Sequence, residues 1–243
     1  MKLVFVAAFS AASLIASAAP AATLVHAYDF SSGVTDKVGT ANGTLLNGAS
    51  ISGGALQLDG VNDYVQFNTK LVDTSQAFSL FMSFSTTGQT SNLVEIISQG
   101  YSGQPGFYVG IYNGGLRLTD NYSNGTIGVP QNGQFHNLLV TSTASQSRVW
   151  LDGVLSFTGQ SLLANMSGGD NTRLGQQFGT YGEFYRGSLD NVLVYNGVAT
   201  YSEAVAAASA VPEPSTWMSM LVGFGLLGAM LRRARRTGHA LQG

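Results

Sequence analysis

The chain contains no cysteine, and that removes several chemistries at once. No disulfide can staple the fold, no thiolate can act as a nucleophile, and no cysteine-type zinc site can form. Charge is also scarce, with Asp, Glu, Lys and Arg together making 10% of the residues. What charge there is lies unevenly. Arg232, Arg233, Arg235 and Arg236 crowd near the C-terminus and Lys2 sits at the start. The body between them keeps six bases, Lys37, Lys70, Arg117, Arg148, Arg173 and Arg186, against twelve acids, so it carries −6. An acidic body without a basic stripe excludes nucleic acid as a partner. No H-E-x-x-H zinc motif and no Gly-x-Ser-x-Gly turn occurs, and the three histidines, His26, His136 and His239, stand singly.

The two ends carry the long apolar runs. Lys2, the run from Leu3 to Ala16 and the small residues up to Ala19-Pro20-Ala21 read as a secretory signal peptide over residues 1–21. At the other end, Val211-Pro212-Glu213-Pro214-Ser215 precedes an uncharged stretch, Thr216 to Leu231, which the four arginines close. As a helix that stretch spans about 24 Å at 1.5 Å per residue, a little short of a ~30 Å hydrocarbon core. Trp217 suits one interface, and the arginines place residues 237–243 in the cytoplasm by the positive-inside rule.

The order Pro-Glu-Pro, hydrophobic span, arginine cluster resembles the PEP-CTERM sorting signal of Gram-negative bacteria that make exopolysaccharide. The resemblance covers residues 212–236, with the hydrophobic helix at 216–231. It implies that an exosortase at the inner membrane recognises Pro212, Glu213 and Pro214, with Arg232, Arg233, Arg235 and Arg236 as the basic stop. It further implies export by the Sec route, transient anchoring, and delivery to the cell surface or matrix. The alternative is a plain anchor that is never processed.

Between the ends the pattern is strands and turns. Ala77–Ser85 alternates with a period of two: Phe78, Leu80, Met82 and Phe84 share one face, and Ser79, Phe81, Ser83 and Ser85 the other. Further strands are predicted at 24–30, 44–46, 55–58, 64–67, 93–97, 107–112, 116–119, 135–143, 149–151, 154–157, 172–175 and 188–195, separated by Gly, Asn and Asp turns. Helical spacing occurs only at Ser202–Ala210, a short helix or a flexible stalk within a linker at 201–211. This spacing predicts an all-β chain folded as a two-sheet antiparallel jelly-roll sandwich over residues 22–200.

Six segments in order strengthen that reading: Ala27-Tyr28-Asp29-Phe30, Gly54–Gly60, Asn62-Asp63-Tyr64-Val65, Phe78–Phe84, Val149-Trp150-Leu151-Asp152-Gly153 and Gly187–Val192. Together they resemble the laminin-G-like, concanavalin A-like lectin/glucanase domain. Phe135-His136-Asn137 departs from the Trp-x-His of many relatives. Members of the superfamily that cleave glucans carry Glu-x-Asp-x-x-Glu on one strand, which presents its carboxylates on one face. Here the glutamates are Glu95, Glu183, Glu203 and Glu213, and none belongs to such a cluster. The expectation is therefore no enzyme, with a divergent glycan hydrolase as the alternative and a purely structural matrix component as a third reading.

Many laminin-G-like domains bind one calcium ion, and calcium takes carboxylate and carbonyl oxygens. The candidates are Asp29, Asp36 in the Gly-rich loop, and Asp190, with Asn42 assisting, because the first and last strands commonly lie side by side in such sandwiches. Binding of exopolysaccharide or another glycan needs aromatic platforms on exposed loops, and Tyr122 and Tyr181 are the candidates.

Overall fold

Phe78, Leu80, Met82 and Phe84 do point together into one core, as a period of two requires. The computed structural model describes residues 21–89, 91–100, 106–119, 127–163, 171–179 and 181–210. Residues 1–20 of the predicted signal peptide, Tyr122, and the whole sorting signal from Pro212 to Arg236 lie outside the described residues.

Among the described residues the chain runs β1 (Thr23–Tyr28), β2 (Thr44–Leu46), β3 (Ser50–Ser52), β4 (Ala55–Asp59), β5 (Tyr64–Phe67), β6 (Phe78–Thr86), β7 (Leu93–Gln99), β8 (Phe107–Tyr112), β9 (Gly115–Leu118), β10 (His136–Ser142), β11 (Ser147–Leu151), β12 (Val154–Gly159), β13 (Thr172–Leu174), β14 (Arg186–Asn196) and α1 (Tyr201–Ala210). One sheet has the order β12-β11-β10-β6-β14-β4-β3, with β1 also beside β14. The other has the order β2-β5-β13-β7-β8-β9. The main core lies between them: Leu56, Leu80, Phe84, Leu138 and Val194 from the first sheet meet Val65, Ile97, Val109 and Leu174 from the second. The all-β two-layer sandwich is thus the observed architecture.

The strand β14 organises the larger sheet. Along one side it follows β6. Along the other, Arg186–Leu189 pair with β4, and Val192–Asn196 pair with β1. The change of partner falls at Asp190 and Asn191, where the register with β6 shifts and Asn191 takes φ +48°. The first and last strands are therefore neighbours, as expected.

The outer face of this sheet is covered rather than wet. Phe81, Leu139, Leu193 and Tyr195 form a second apolar layer with Ala199 and Ala204, and Trp150 and Tyr201 pack on it. Tyr201 meets Phe81 edge to face at 6.4 Å. The segment after β14 is therefore neither loose nor a stalk; it is a helix seated on the sheet. Its start is a capping box: Glu203 N donates to Thr200 Oγ1 (3.2 Å), and Thr200 N donates to Glu203 Oε2 (2.7 Å). This cover explains why β6 is buried along its whole length even though its sequence alternates. Its serines are satisfied locally: Ser79 Oγ donates to Gly197 O (2.8 Å), and Ser83 Oγ donates to Asn137 Oδ1 (2.6 Å).

Candidate functional site

The outer face of the six-stranded sheet is the polar and aromatic surface of the molecule. Val65, Leu174, Ile97 and Val109 turn into the core, so their strand neighbours Gln66, Arg173, Ser98 and Tyr108 line up across the opposite face. A second row, Glu95, Gly110 and Arg117, runs beside the first. Glu95 is fully buried and pairs with Arg117, whose side chain is only 11% exposed. Gly110 has no room for a side chain, because the Glu95 carboxylate lies directly on it. Arg117 also lies over the Tyr108 ring, 4.8 Å from its centroid, and Arg173 over Tyr64 at 4.9 Å.

The segment that follows β13 folds back over this face. Ser98 Oγ donates to Gln176 O (2.7 Å), and Arg173 donates to Gln176 Oε1, Gln177 O and Gly179 O at 2.9–3.1 Å. Phe178 stacks on Tyr108 with centroids 5.3 Å apart. Burial of its guanidinium among these groups holds Arg173 below its ordinary pKa. Gln176 Nε2 donates to Tyr181 O (3.1 Å), which sets Tyr181 at the edge of the cover with its residue 47% exposed. The same turn brings a second carboxylate to this face. Glu95 N donates to Glu183 O at 2.9 Å, and the Gln177 amide, turned to satisfy both groups, donates to both oxygens of Glu183 at 3.1 and 2.6 Å. Glu183 holds φ +59°, a left-handed conformation rare for a side chain of its size.

The aspartates singled out for calcium have other duties. Asp36 Oδ1 accepts from Ala27 N (3.1 Å), Val38 N (3.2 Å) and Gly39 N (2.9 Å). Its Oδ2 accepts from Ala41 N (3.1 Å) and from His26 Nδ1 (2.6 Å). Burial works against its charge, but the bonds from His26, Gly39, Ala27 and Val38 outweigh it and hold its pKa below the ordinary value. Asp29 Oδ1 accepts from Ser31 N and Ser31 Oγ and faces Lys37 Nζ at 3.4 Å. Asp190 accepts from Asn191 N (2.7 Å) and Asn191 Nδ2 (2.8 Å). Among the described residues no three acidic or histidine side chains converge on one point that would hold a metal. Asp36 in particular does not fit a calcium ligand: five donors already use its lone pairs.

A family model described as the concanavalin A-like lectin/glucanases superfamily matches residues 59–205, more than half of the chain. The chain belongs to the concanavalin A-like lectin/glucanase superfamily. A second family model, the PEP-CTERM protein-sorting motif, matches residues 210–236 and implies export and membrane-associated sorting by exosortase. Among the described residues no helix is long and apolar enough to cross a membrane, and the hydrophobic span lies outside them. No curated protein matches the chain.

Several solved structures align over most of it. Domain 4 of AbnA, a GH43 extracellular arabinanase from Geobacillus stearothermophilus in complex with arabinotriose, is 18% identical, with a TM-score of 0.64 over 77% of this chain and 99% of that one. Trypanosoma rangeli sialidase in complex with sialic acid is 16% identical, with a TM-score of 0.60 over 76% of this chain and 32% of that one. A structure of botulinum neurotoxin type C, whose cell entry depends upon interaction with two ganglioside molecules, is 11% identical, with a TM-score of 0.60 over 79% of this chain and 51% of that one. At these identities the likeness establishes the fold. This chain corresponds to about a third of the sialidase chain and half of the neurotoxin chain.

Of the site residues the sequence suggested, Tyr181 lies at the edge of the polar face, and Asp36 and Asn42 come together, with Asp36 N donating to Asn42 Oδ1 at 2.9 Å. The approach of Glu183 to Glu95 and the cover formed by Gln176, Gln177 and Phe178 were not predicted. Strand alternation reveals Glu95 as a carboxylate among Val94, Ile96 and Ile97. Nothing in the local sequence reveals a partner 22 residues away on β9.

Proposed function

We propose that this chain is a non-catalytic glycan-binding module, exported and passed to the cell surface or extracellular matrix through exosortase. The observation that carries the reading is the outer face of the six-stranded sheet. Its rim offers the exposed ring of Tyr181 and the half-buried ring of Tyr64, aromatic surfaces of the kind sugar ring faces stack on. Glu95 is fully buried and tied through Oε1 to Arg117, its Oε2 buried without a hydrogen-bond partner, and Glu183 accepts from Gln177. A glycosidase needs one carboxyl group free to protonate the leaving oxygen and another free to act as nucleophile or base. The AbnA domain of the same fold, matched over nearly its whole length and complexed with arabinotriose, supports a glycan as the ligand class.

The test is retention of the full chain on a glycan array that includes the exopolysaccharide of its own source. Tyr181→Ala is expected to weaken retention with an unchanged melting temperature; retention equal to the parent's would overturn the assignment of this face. The backbone bond that joins Glu95 to Glu183 favours a second reading, a divergent hydrolase. Sugar release from arabinan or a β-glucan by the purified chain, lost in Glu183→Gln, would establish it in place of the first.

A further inference from the structure

A separate cleft of about 320 Å³ opens where β1 meets the loops after it and after β5, and it is lined by His26, Thr40, Asn42, Asn68, Thr69 and Lys70. We propose that it is a second binding site, for a carboxylated sugar of the hexuronate class. Both walls are built before any ligand arrives. On one side the Asp36 carboxylate ties the loop at Val38, Gly39 and Ala41 to β1, and Asp36 N holds Asn42 by its Oδ1. On the other, Gln99 Oε1 accepts from Leu71 N (3.0 Å) and Val72 N (2.9 Å), and Thr172 Oγ1 donates to Thr69 O (2.9 Å). Lys70 is thus held between two pinned neighbours. Such prior ordering lowers the entropy cost of binding.

The groups left facing the cleft define its ligand. Asn42 spends its oxygen on Asp36 N, so its amide hydrogens remain as donors. His26 Nδ1 donates to the ionised Asp36, which leaves Nε2 facing the cleft for a ligand hydroxyl. Thr40, Thr69 and Asn68 add two hydroxyls and an amide, and Lys70 adds a positive charge. No carboxylate lines the cleft. Asp36 stands behind His26 with no side-chain exposure, and Asp73, outside the lining, accepts from Ser75 and Gln76 and feels the Lys70 charge more weakly than those bonds. One lysine among hydroxyls, amides and an imidazole matches a singly charged, polyhydroxylated ring. A phosphate or sulfate calls for several cations or a fork of guanidinium donors. The volume lies at the small end of the ~300–1,000 Å³ usual for small-molecule sites, which suits one or two sugar rings.

The site is independent of the Tyr181 face. The experiment titrates the full-length chain, purified in detergent, with sodium glucuronate, methyl glucoside and inorganic phosphate, read by calorimetry. Glucuronate is expected to bind and the uncharged glucoside to bind less tightly. Lys70→Gln, which removes one exposed ion pair, is expected to weaken glucuronate about fivefold. Asn42→Asp, which sets a carboxylate in the cleft, is expected to weaken it further, and Tyr181→Ala to leave it unchanged. Melting temperatures equal to the parent's show that the variants fold. Equal affinity for glucuronate and glucoside, no loss in Lys70→Gln, a loss in Tyr181→Ala, or phosphate binding as tightly as glucuronate would each overturn the proposal.

Discussion

Replacing Asp36 by Ala tests whether one carboxylate fastens the whole loop between β1 and β2. Five donors converge on it, but they do not weigh equally. Ala27 N belongs to a residue only 1% exposed, and His26 is pinned at 2.6 Å. Ala27 N cannot recover its bond from water, and the His26 side chain, 19% exposed, recovers its own only in part. Hydrogen bonds to a charged group contribute about 1.5–3 kcal/mol each, so these two account for about 3–6 kcal/mol. The amides of Val38, Gly39 and Ala41 lie on a more open loop, with Val38 51% exposed, and water replaces much of what they lose. At ~2–4 °C per kcal/mol for a domain of this size, Asp36→Ala should lower the melting temperature by roughly 10 °C. Asp36→Asn should cost less. Its carbonyl can serve Ala27, Val38 and Gly39, while its amide faces His26 in the other tautomer and loses only Ala41. Urea unfolding of the full chain measures the order, and hydrogen exchange at residues 38–41 locates it. An Asp36→Ala loss under ~1 kcal/mol, or a larger loss in Asp36→Asn, would refute the reasoning.

Other consequences follow from neighbouring features. Asp36, Asp59 and Asp73 all have lowered pKa values: His26 and backbone bonds outweigh burial at the first, the Val61 N–H leads at the second and the Ser75 hydroxyl at the third. A lowered folded-state pKa adds stability that is fully present above the unfolded value of ~3.9 and is lost as pH falls below it. Burial raises Asp63 and opposes them. Melting temperature should therefore hold from pH 7 to about pH 4.5 and fall below pH 4, with a shallower fall in Asp36→Asn; a flat profile down to pH 3 contradicts this. Gly187 takes φ +155°, and a Cβ there would collide with Ser85 O and come within 2.7 Å of the Tyr185 hydroxyl. Gly187→Ala should thus part β14 from β6 and cost about 3 kcal/mol or more in chemical unfolding. Glu95→Ala removes the buried anion beside Arg117 and should cost about 3–5 kcal/mol, whereas replacing both residues by Met should recover most of that loss.

The layered β architecture could be read directly, because alternation such as that of Phe78 to Phe84 reports which side chains share a face. Alternation does not report what lies on the second face. Ser79, Ser83 and Ser85 look like a wet surface until α1 and the chain before it are known to cover them. The strand β3 escaped because Ser50-Ile51-Ser52 offers a single apolar residue, and the pairing with β4 that makes it a strand is tertiary. Asp36 was legible as a special residue in a Gly-rich loop, but its role was not. Calcium and a set of five hydrogen-bond donors ask the same thing of an aspartate, and only the placement of His26 and four backbone amides separates them. Glu95 stands alone in its strand, and its neighbours Arg117 and Glu183 reach it only through sheet register and a returning loop.

The seating of α1 has a mechanical meaning. Its ten residues occupy about 15 Å as a helix at 1.5 Å per residue, and would reach about 33 Å if drawn out as free chain. Ala204 at the buried side and the Thr200–Glu203 cap hold the shorter length. The sorting motif begins at residue 210, where that helix ends. The leash between the sandwich and its address is therefore short while the body is folded and about twice as long when it is not. A membrane enzyme that reaches for the address meets a bulky, close-set load on a folded molecule and slack on an unfolded one.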